Sequence, residues 1–338
     1  MSNRNGLSLA FLILTTAIPS LPAQQGSTVL SSTANPPQQH SGAPNPSAST
    51  VEHWDKLALH DNDLHSDPAV IGQVDTFPDF TRELLRVQWR DDDPIDLYIV
   101  RPAGVAHPPV ILYLYGYPGE AVRFLNYDLC RTVTRGGYAA VSFSPMLTGQ
   151  RYHDVPMTQW FVSDLQRSLV GTAHDVQMVL NYLAEQGDFD MSRVGVFGEG
   201  SGGTVAMLAA SVDPRIKALD VLNPWGDWPS WFSASRVVPD RERAQYLKPE
   251  FQKSIAPLDP VAILPRLGAV PLRLQQNLWD SARTPSGAAE RIAAALPADA
   301  KLAQYKDELE YYNKVGNNGK MLDWIYDALS SPPLRSRM

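Results

Sequence analysis

Six consecutive residues, Gly198, Glu199, Gly200, Ser201, Gly202 and Gly203, join the short apolar run Arg193 to Phe197 to a strongly helical stretch, Thr204 to Ala210. Strand, tight turn and helix in that order hold a nucleophile on a strained turn, and small residues two positions to either side keep the backbone from clashing. The chemistry such a turn serves is acyl transfer, with the helix N-terminus and a backbone N–H stabilising the oxyanion. Two registers are available. Aligned by its glycines, the turn has Gly198 and Gly202 in the flanking positions and Gly200 in the nucleophile position, where no side chain can attack and Ser201 merely follows. With Ser201 as nucleophile, Glu199 and Gly203 become the flanks, and a bulky carboxylate stands where the turn needs a small residue. Steric reasoning favours the first register.

The elements around this turn read as alternating strands and helices, as expected when crossover helices join parallel strands. Leu84 to Arg90 and Ile95 to Arg101, separated by Asp91, Asp92, Asp93 and Pro94, read as an antiparallel hairpin at the sheet edge. Val110 to Tyr115 and Tyr138 to Phe143 read as strands either side of a helix reaching about Arg135. From about Asp164 to Glu185 a long helix carries Leu165, Leu169, Val176, Val179, Leu180 and Leu183 on one stripe. Ile216 to Leu222, Leu272 to Gln276 and Leu302 to Tyr305 are further strands, with helices at Ala288 to Leu296 and Lys320 to Leu329. Residues 225 to 265 are a Trp- and Pro-rich insertion. Its Trp225, Trp228 and Trp231 suit either an aromatic lid or one helical turn packed on the core, and core packing is favoured. Asp227 among them is an alternative acid. The expected class is α/β, a mostly parallel central sheet flanked by helices.

Upstream, Arg4, the apolar run Leu7 to Ile18 and the small-residue site Leu21, Pro22, Ala23 read as an export signal over residues 1–23. That run of about 12 residues is short of the roughly 20 that cross a bilayer, so no membrane span is expected once the signal is cleaved. A secreted or periplasmic protein follows. Residues 24–50, built from Ser, Pro, Gln, Asn, Ala, Gly and Thr, read as a disordered linker. Residues 51–338 then form one domain with its core at 81–330. The single cysteine, Cys130, has no internal partner for a disulfide and falls in an apolar helical stretch. A net charge of −7 without a basic run argues against nucleic acid, and no metal-ligand spacing is visible, so no metal or cofactor is expected.

From about residue 80 to 330 the chain resembles the α/β-hydrolase superfamily, especially its prolyl oligopeptidase-like and dienelactone hydrolase-like branches. The pieces that carry the resemblance are ILYLYGYPGE at 111–120, RVGVFGEGSGG at 193–203, DPRIKALDVLNPW at 213–225 and PLRLQQNLWDSARTP at 271–285. It implies a serine hydrolase, an esterase or peptidase, with a triad in the chain order nucleophile, acid, histidine. The acid position, in a D-x-x-x-x-P pattern, falls on Asp280 with Pro285 beyond; a helix-capping aspartate is the competing reading. The histidine position falls best on Glu310, and all seven histidines (His40, His53, His60, His65, His107, His153 and His174) precede the turn. Glu310 would need its pKa raised by burial to act as a base.

The loop Tyr115, Gly116, Tyr117, Pro118, Gly119 and Glu120 could present backbone N–H groups beside the turn, so that Tyr115, Gly116, Tyr117, Ser201 and Gly202 line an oxyanion pocket. Equally, its glycines could serve only the turn into the next helix. The expectation is a degenerate hydrolase that binds a small molecule or peptide without acylating. Two alternatives stay open. One is an active hydrolase using Ser201 and Asp280 with Glu310 or His153 as base; the other is elimination chemistry by Glu199, Asp280 and Glu310.

Overall fold

A computed structural model describes residues 52–330 apart from 54, 60–65, 91–92, 118–120, 147–156, 282–283 and 317–319, and without the side chains of 157–164. The signal and linker readings, and those on Pro118, Gly119, Glu120, His40, His60, His65 and His153, fall outside the described residues.

The strands are β1 (Val70–Thr76), β2 (Phe80–Val87), β3 (Ile95–Pro102), β4 (Pro109–Leu114), β5 (Ala139–Phe143), β6 (Asp190–Glu199), β7 (Ile216–Leu222), β8 (Leu272–Asn277) and β9 (Lys301–Tyr305). They form one sheet in the order β1-β2-β3-β5-β4-β6-β7-β8-β9. The pairings from β5 through β4 to β9 are parallel, and β1, β2 and β3 add antiparallel partners at one side. The expected hairpin is β2 with β3, but it is not the edge: β1 lies outside it with nearly every residue exposed. Four of β1's seven residues are polar or glycine, and its exposure leaves no apolar alternation to reveal it.

Helices cover both faces. They are α1 (Tyr127–Thr134), α2 (Met157–Gln186), α3 (Ser201–Ala210), α4 (Trp228–Ala234), α5 (Asp240–Tyr246), α6 (Pro249–Ile255), α7 (Pro260–Ile263), α8 (Ser286–Ala294), α9 (Glu308–Tyr311) and α10 (Asp323–Ser330). Strand β4 shows why two layers are needed. Val110, Leu112 and Leu114 join the core with α2 and α3, whereas Ile111, Tyr113 and Tyr115 join the core with Cys130 and Val133 of α1 and Ile325 and Leu329 of α10. All ten residues of α3 are buried, as befits a helix apolar on every side. The Trp-rich insertion is helical, and Trp225, Trp228, Trp231 and Phe232 are core residues, the last stacked on Tyr246. Burying side chains of this size stabilises by roughly 1.5–3 kcal/mol each. Among the described residues no helix is long and apolar enough to cross a membrane.

From β4 the chain runs to β5 on one side, then returns through α2 to β6 on the other. This reversal of direction opens a crevice at the carboxyl ends of the parallel strands. The segments there are Tyr115 to Tyr117, the turn at Gly200, and the loops after β7, β8 and β9.

Candidate functional site

Strand β6 delivers the chain to Gly200 with φ 56° and ψ −124°, a conformation that L side chains rarely adopt and that holds a turn residue out over the sheet. Its backbone is held from both sides. Gly200 N–H donates to Leu222 O at 2.9 Å, and Gly200 O accepts from Thr204 N–H at 3.2 Å and from Trp225 N–H at 3.4 Å.

Packing places the centre of the turn at Gly200. A Cβ at Gly202 would lie 2.1 Å from Leu114 O, and one at Gly198 would lie 2.6 Å from Gly202 O, so neither position accepts a side chain. A Cβ at Gly203 meets its nearest atom, Gly198 O, at 3.2 Å. At Gly200 itself a Cβ would stand 3.5 Å from Trp225 Nε1 and 3.6 Å from Gly116 Cα, an ordinary contact. There is room for a side chain where the sequence has none.

Ser201 begins α3 and is 2% exposed. Its Oγ accepts the Tyr117 N–H at 2.9 Å, which ties the loop after β4 to the turn. Gly116 lets that loop approach, because a Cβ there would come within 2.5 Å of Glu199 O. The first intrahelical bond of α3 runs from Thr204 to Gly200, so the amides of Ser201, Gly202 and Gly203 precede the helical ladder and carry its positive end. Tyr117 packs edge-on against Trp225 at 6.3 Å, and burial raises its phenol above the ordinary value. Arg123 lies over the Tyr115 ring at 4.4 Å and pairs with Glu199 at 3.6 Å. Tyr311, whose phenol is raised by burial and then by the Glu199 charge, stands against Trp279 and Tyr305. Amides and a helix N-terminus of this kind hold a carbonyl or anionic oxygen.

Asp227, Asp280 and Glu310 follow β7, β8 and β9 at the same rim of the sheet, and Ser201 Oγ bonds the Tyr117 amide instead. Asp280 sits in the turn after β8, its N–H donating to Asn277 O at 3.0 Å. The N-cap residue of α8 is Pro285. Glu310 is on α9. Its carboxylate pairs with Lys314 at 2.6 Å and accepts Lys306 N–H at 2.9 Å, and these bonds hold its carboxyl below the ordinary value. The raised pKa that a base or general acid at Glu310 requires is absent, because the side chain is solvated and paired rather than stripped of water. Asp227, in a left-handed conformation at φ 52°, turns to Arg291 of α8 at 3.3 Å. His174 is fully buried on α2 against Glu52, and Cys130 is buried with its thiol raised above the ordinary value by burial. Among the described residues no cluster of three or more His, Cys, Asp or Glu could hold a metal ion.

Trp225, offered by the sequence as lid or core, is buried in the core and also walls Gly200, its Nε1 3.5 Å from where a Cβ there would stand, whereas sequence reasoning overlooked the buried network behind the site. Asp220 on β7 and Arg273 on β8 are register partners and form a two-pronged pair at 2.9 and 2.6 Å. Gln275 also donates to Asp220, and Tyr305 donates to Gln275. A charged residue inside the apolar run of β7 was the signal, since a fully buried carboxylate demands a partner.

No protein-family model matches the sequence, and no curated protein matches it. Solved structures do. Acetyl xylan esterase 1 from a Thermoanaerobacterium species aligns with 78% of this chain and 89% of its own, at 15% identity and a TM-score of 0.59. An acetyl xylan esterase from a Paenibacillus species aligns with 81% of this chain and 92% of its own, at 18% identity and a TM-score of 0.57. An S-formylglutathione hydrolase from Agrobacterium tumefaciens aligns with 77% of this chain and 99% of its own, at 19% identity and a TM-score of 0.56. The sheet order, the turn at Gly200 and these likenesses agree: the chain adopts the α/β-hydrolase fold.

Proposed function

We propose that the chain is an exported protein of serine-hydrolase ancestry that retains an oxygen-binding niche for a small molecule or peptide and has lost acyl transfer. The observation that carries the reading is the backbone of Gly200: the strained turn, its two obligatory glycines and its neighbouring amides converge on a position with no side chain. The similar structures named as esterases and as a hydrolase support the ancestry. Loss of the nucleophile is matched by loss of the base, because every histidine precedes the turn and Glu310 is ion-paired with a lowered pKa. Ser201 does not substitute, since its hydroxyl is bonded to the Tyr117 amide and to neither Asp280 nor Glu310. The reading of residues 1–23 as a signal places the protein outside the cytoplasm, secreted or periplasmic.

The test is hydrolysis of acyl esters by the purified protein over about pH 6 to 10, where such bases operate, beside Ser201→Ala. Equal rates in the two proteins are expected. A rate that Ser201→Ala abolishes overturns the reading.

A further inference from the structure

Between β4 and α1 the short 3-10 helix Ala121–Leu125 carries Arg123, whose guanidinium reaches Glu199, the residue before Gly200. That helix is fastened to the sheet. Phe124 is fully buried against the rings of Tyr98, Tyr113 and Tyr115. Arg82 of β2, itself buried and paired with Asp75 at 2.6 Å, donates to Phe124 O at 2.9 Å and to Leu125 O at 2.7 Å. Arg123 therefore extends from a fixed backbone, and its guanidinium lies over the Tyr115 ring at 4.4 Å, a cation–π contact. Glu199 is equally fixed. It ends β6 in register with Leu222 of β7, and its carbonyl faces Gly116 so closely that a Cβ there would come within 2.5 Å.

The two side chains meet without using their hydrogen-bonding groups. Arg123 Nη1 stands 3.6 Å from Glu199 Oε2, close enough for an ion pair and too far for a hydrogen bond. Among the described residues neither side chain makes a hydrogen bond. Both stay partly open to solvent, Arg123 at 47% and Glu199 at 30%. Burial raises the phenols of Tyr115 and Tyr311, and the Glu199 charge adds to the rise in each, so the carboxylate lies near both rings. Trp279 stands beyond Tyr311 at 5.9 Å. The crevice thus offers a fixed donor beside a fixed acceptor, with aromatic rings around them.

A ligand group that engages both must accept on one atom and donate from its neighbour on the same side. A carboxylate satisfies Arg123 but meets the like charge of Glu199, and an amidinium satisfies Glu199 but meets that of Arg123. A trans secondary amide points its oxygen and its N–H in opposite directions. A lone hydroxyl spanning 3.6 Å with two bonds of about 2.8 Å would hold them about 80° apart, well short of a tetrahedral angle. A primary carboxamide carries an N–H syn to its carbonyl, with oxygen and nitrogen roughly 2.3 Å apart. Its two bonds then run nearly parallel, and both are charge-assisted. We infer that Arg123 and Glu199 form a receptor for a primary carboxamide on a small molecule, Arg123 donating to its oxygen and Glu199 accepting from its nitrogen. The inference rests on the proposed niche for its setting and names the group that a ligand presents beside it.

Fluorine NMR titration of the full chain tests it with probes that share one reporter ring: para-fluorobenzamide, its N-methyl derivative, para-fluorobenzoate, para-fluorobenzamidine and para-fluorobenzyl alcohol. The primary carboxamide should bind about tenfold or more tightly than each of the others, the ratio that one charge-assisted hydrogen bond carries. Arg123→Met and Glu199→Leu should each weaken it by a similar factor. Each should also reverse the charge preference, the amidine gaining over the carboxamide where Glu199 stands alone and the benzoate where Arg123 stands alone. A merely structural loss would not move the two preferences in opposite directions. Benzoate or amidine binding the wild type most tightly overturns the inference, and so does an N-methyl amide or alcohol that binds as well as the carboxamide. Carboxamide binding that is absent, or that both variants leave unchanged, overturns it too. If Glu199→Leu does not fold, Arg123→Met decides. Binding is read without turnover, so acylation of Ser201 would overturn the proposed loss of acyl transfer and leave this inference to its own test.

Discussion

The hydroxyl of Ser201 accepts a hydrogen bond from the backbone N–H of Tyr117 at 2.9 Å, across 84 residues of sequence. A serine beside the strained turn is thereby committed to holding the loop after β4 in place. Removing the hydroxyl has a structural cost. Ser201→Ala is expected to lose about 0.5–1.5 kcal/mol of stability in urea unfolding, the usual net worth of one such bond. A loss above that range would mean that Ser201 does more than tie the loop.

The glycines of the turn are not equivalent. Gly202→Ala brings a Cβ to 2.1 Å from Leu114 O, a backbone atom that cannot yield. A loss above about 4 kcal/mol, or no soluble protein, is expected. Gly200→Ala meets only ordinary contacts and suffers chiefly from φ 56°, a strain of roughly 1–3 kcal/mol. Thermal and chemical unfolding of the pair checks the order, and a Gly200 variant less stable than the Gly202 variant contradicts the geometry.

Behind the site, Arg273 donates two hydrogen bonds to Asp220 in the buried centre of adjacent strands. Asp220→Ala strands a guanidinium in that interior and is expected to cost about 3–5 kcal/mol, as for other broken buried pairs. The double variant Asp220→Leu with Arg273→Met should recover most of it, because two apolar side chains of similar volume leave no uncompensated charge. Denaturant midpoints of the single and double variants measure the difference.

Glu52, paired with Arg90 and His174, sets an acid limit on stability. Its carboxyl lies below the ordinary value because Arg90 and His174 outweigh burial. A depressed carboxyl contributes stability that is complete above its unfolded pKa, about 4.3, and is lost as pH falls through the lower folded value. Glu52→Gln is therefore expected to lower stability at neutral pH by about 1.5–3 kcal/mol and to flatten the acid limb. Unfolding free energies from acid to neutral pH provide the check. An acid limb as steep as that of wild type would remove Glu52 from the account.

What could be read from the sequence follows from how local its cause is. Strand β6, the turn and α3 were legible because an apolar run, four glycines and a second apolar run stand side by side. Strand β4 was legible as a continuous buried run, and β7 as an apolar run interrupted by Lys217 and Asp220. The start of α2 at Met157 rather than near Asp164 was not, because the apolar stripe begins only at Leu165. Strand β1 escaped because neither of its faces is buried. Contacts between distant residues escaped most completely. The bond from Glu52 to His174 spans 122 residues, and no local pattern distinguishes His174 from any other helix histidine. Glu310 was placed correctly after the last strand, but Lys314 and the Lys306 amide, which decide its proton affinity, came to light only with the fold.

Labelling by an active-site-directed fluorophosphonate, read by intact mass and peptide mapping beside Ser201→Ala, bears most directly on the proposed loss of acyl transfer. With Gly200 in the nucleophile position, wild-type protein and Ser201→Ala should both stay unlabelled. A stoichiometric adduct on Ser201 would contradict the account and make Ser201 a working nucleophile.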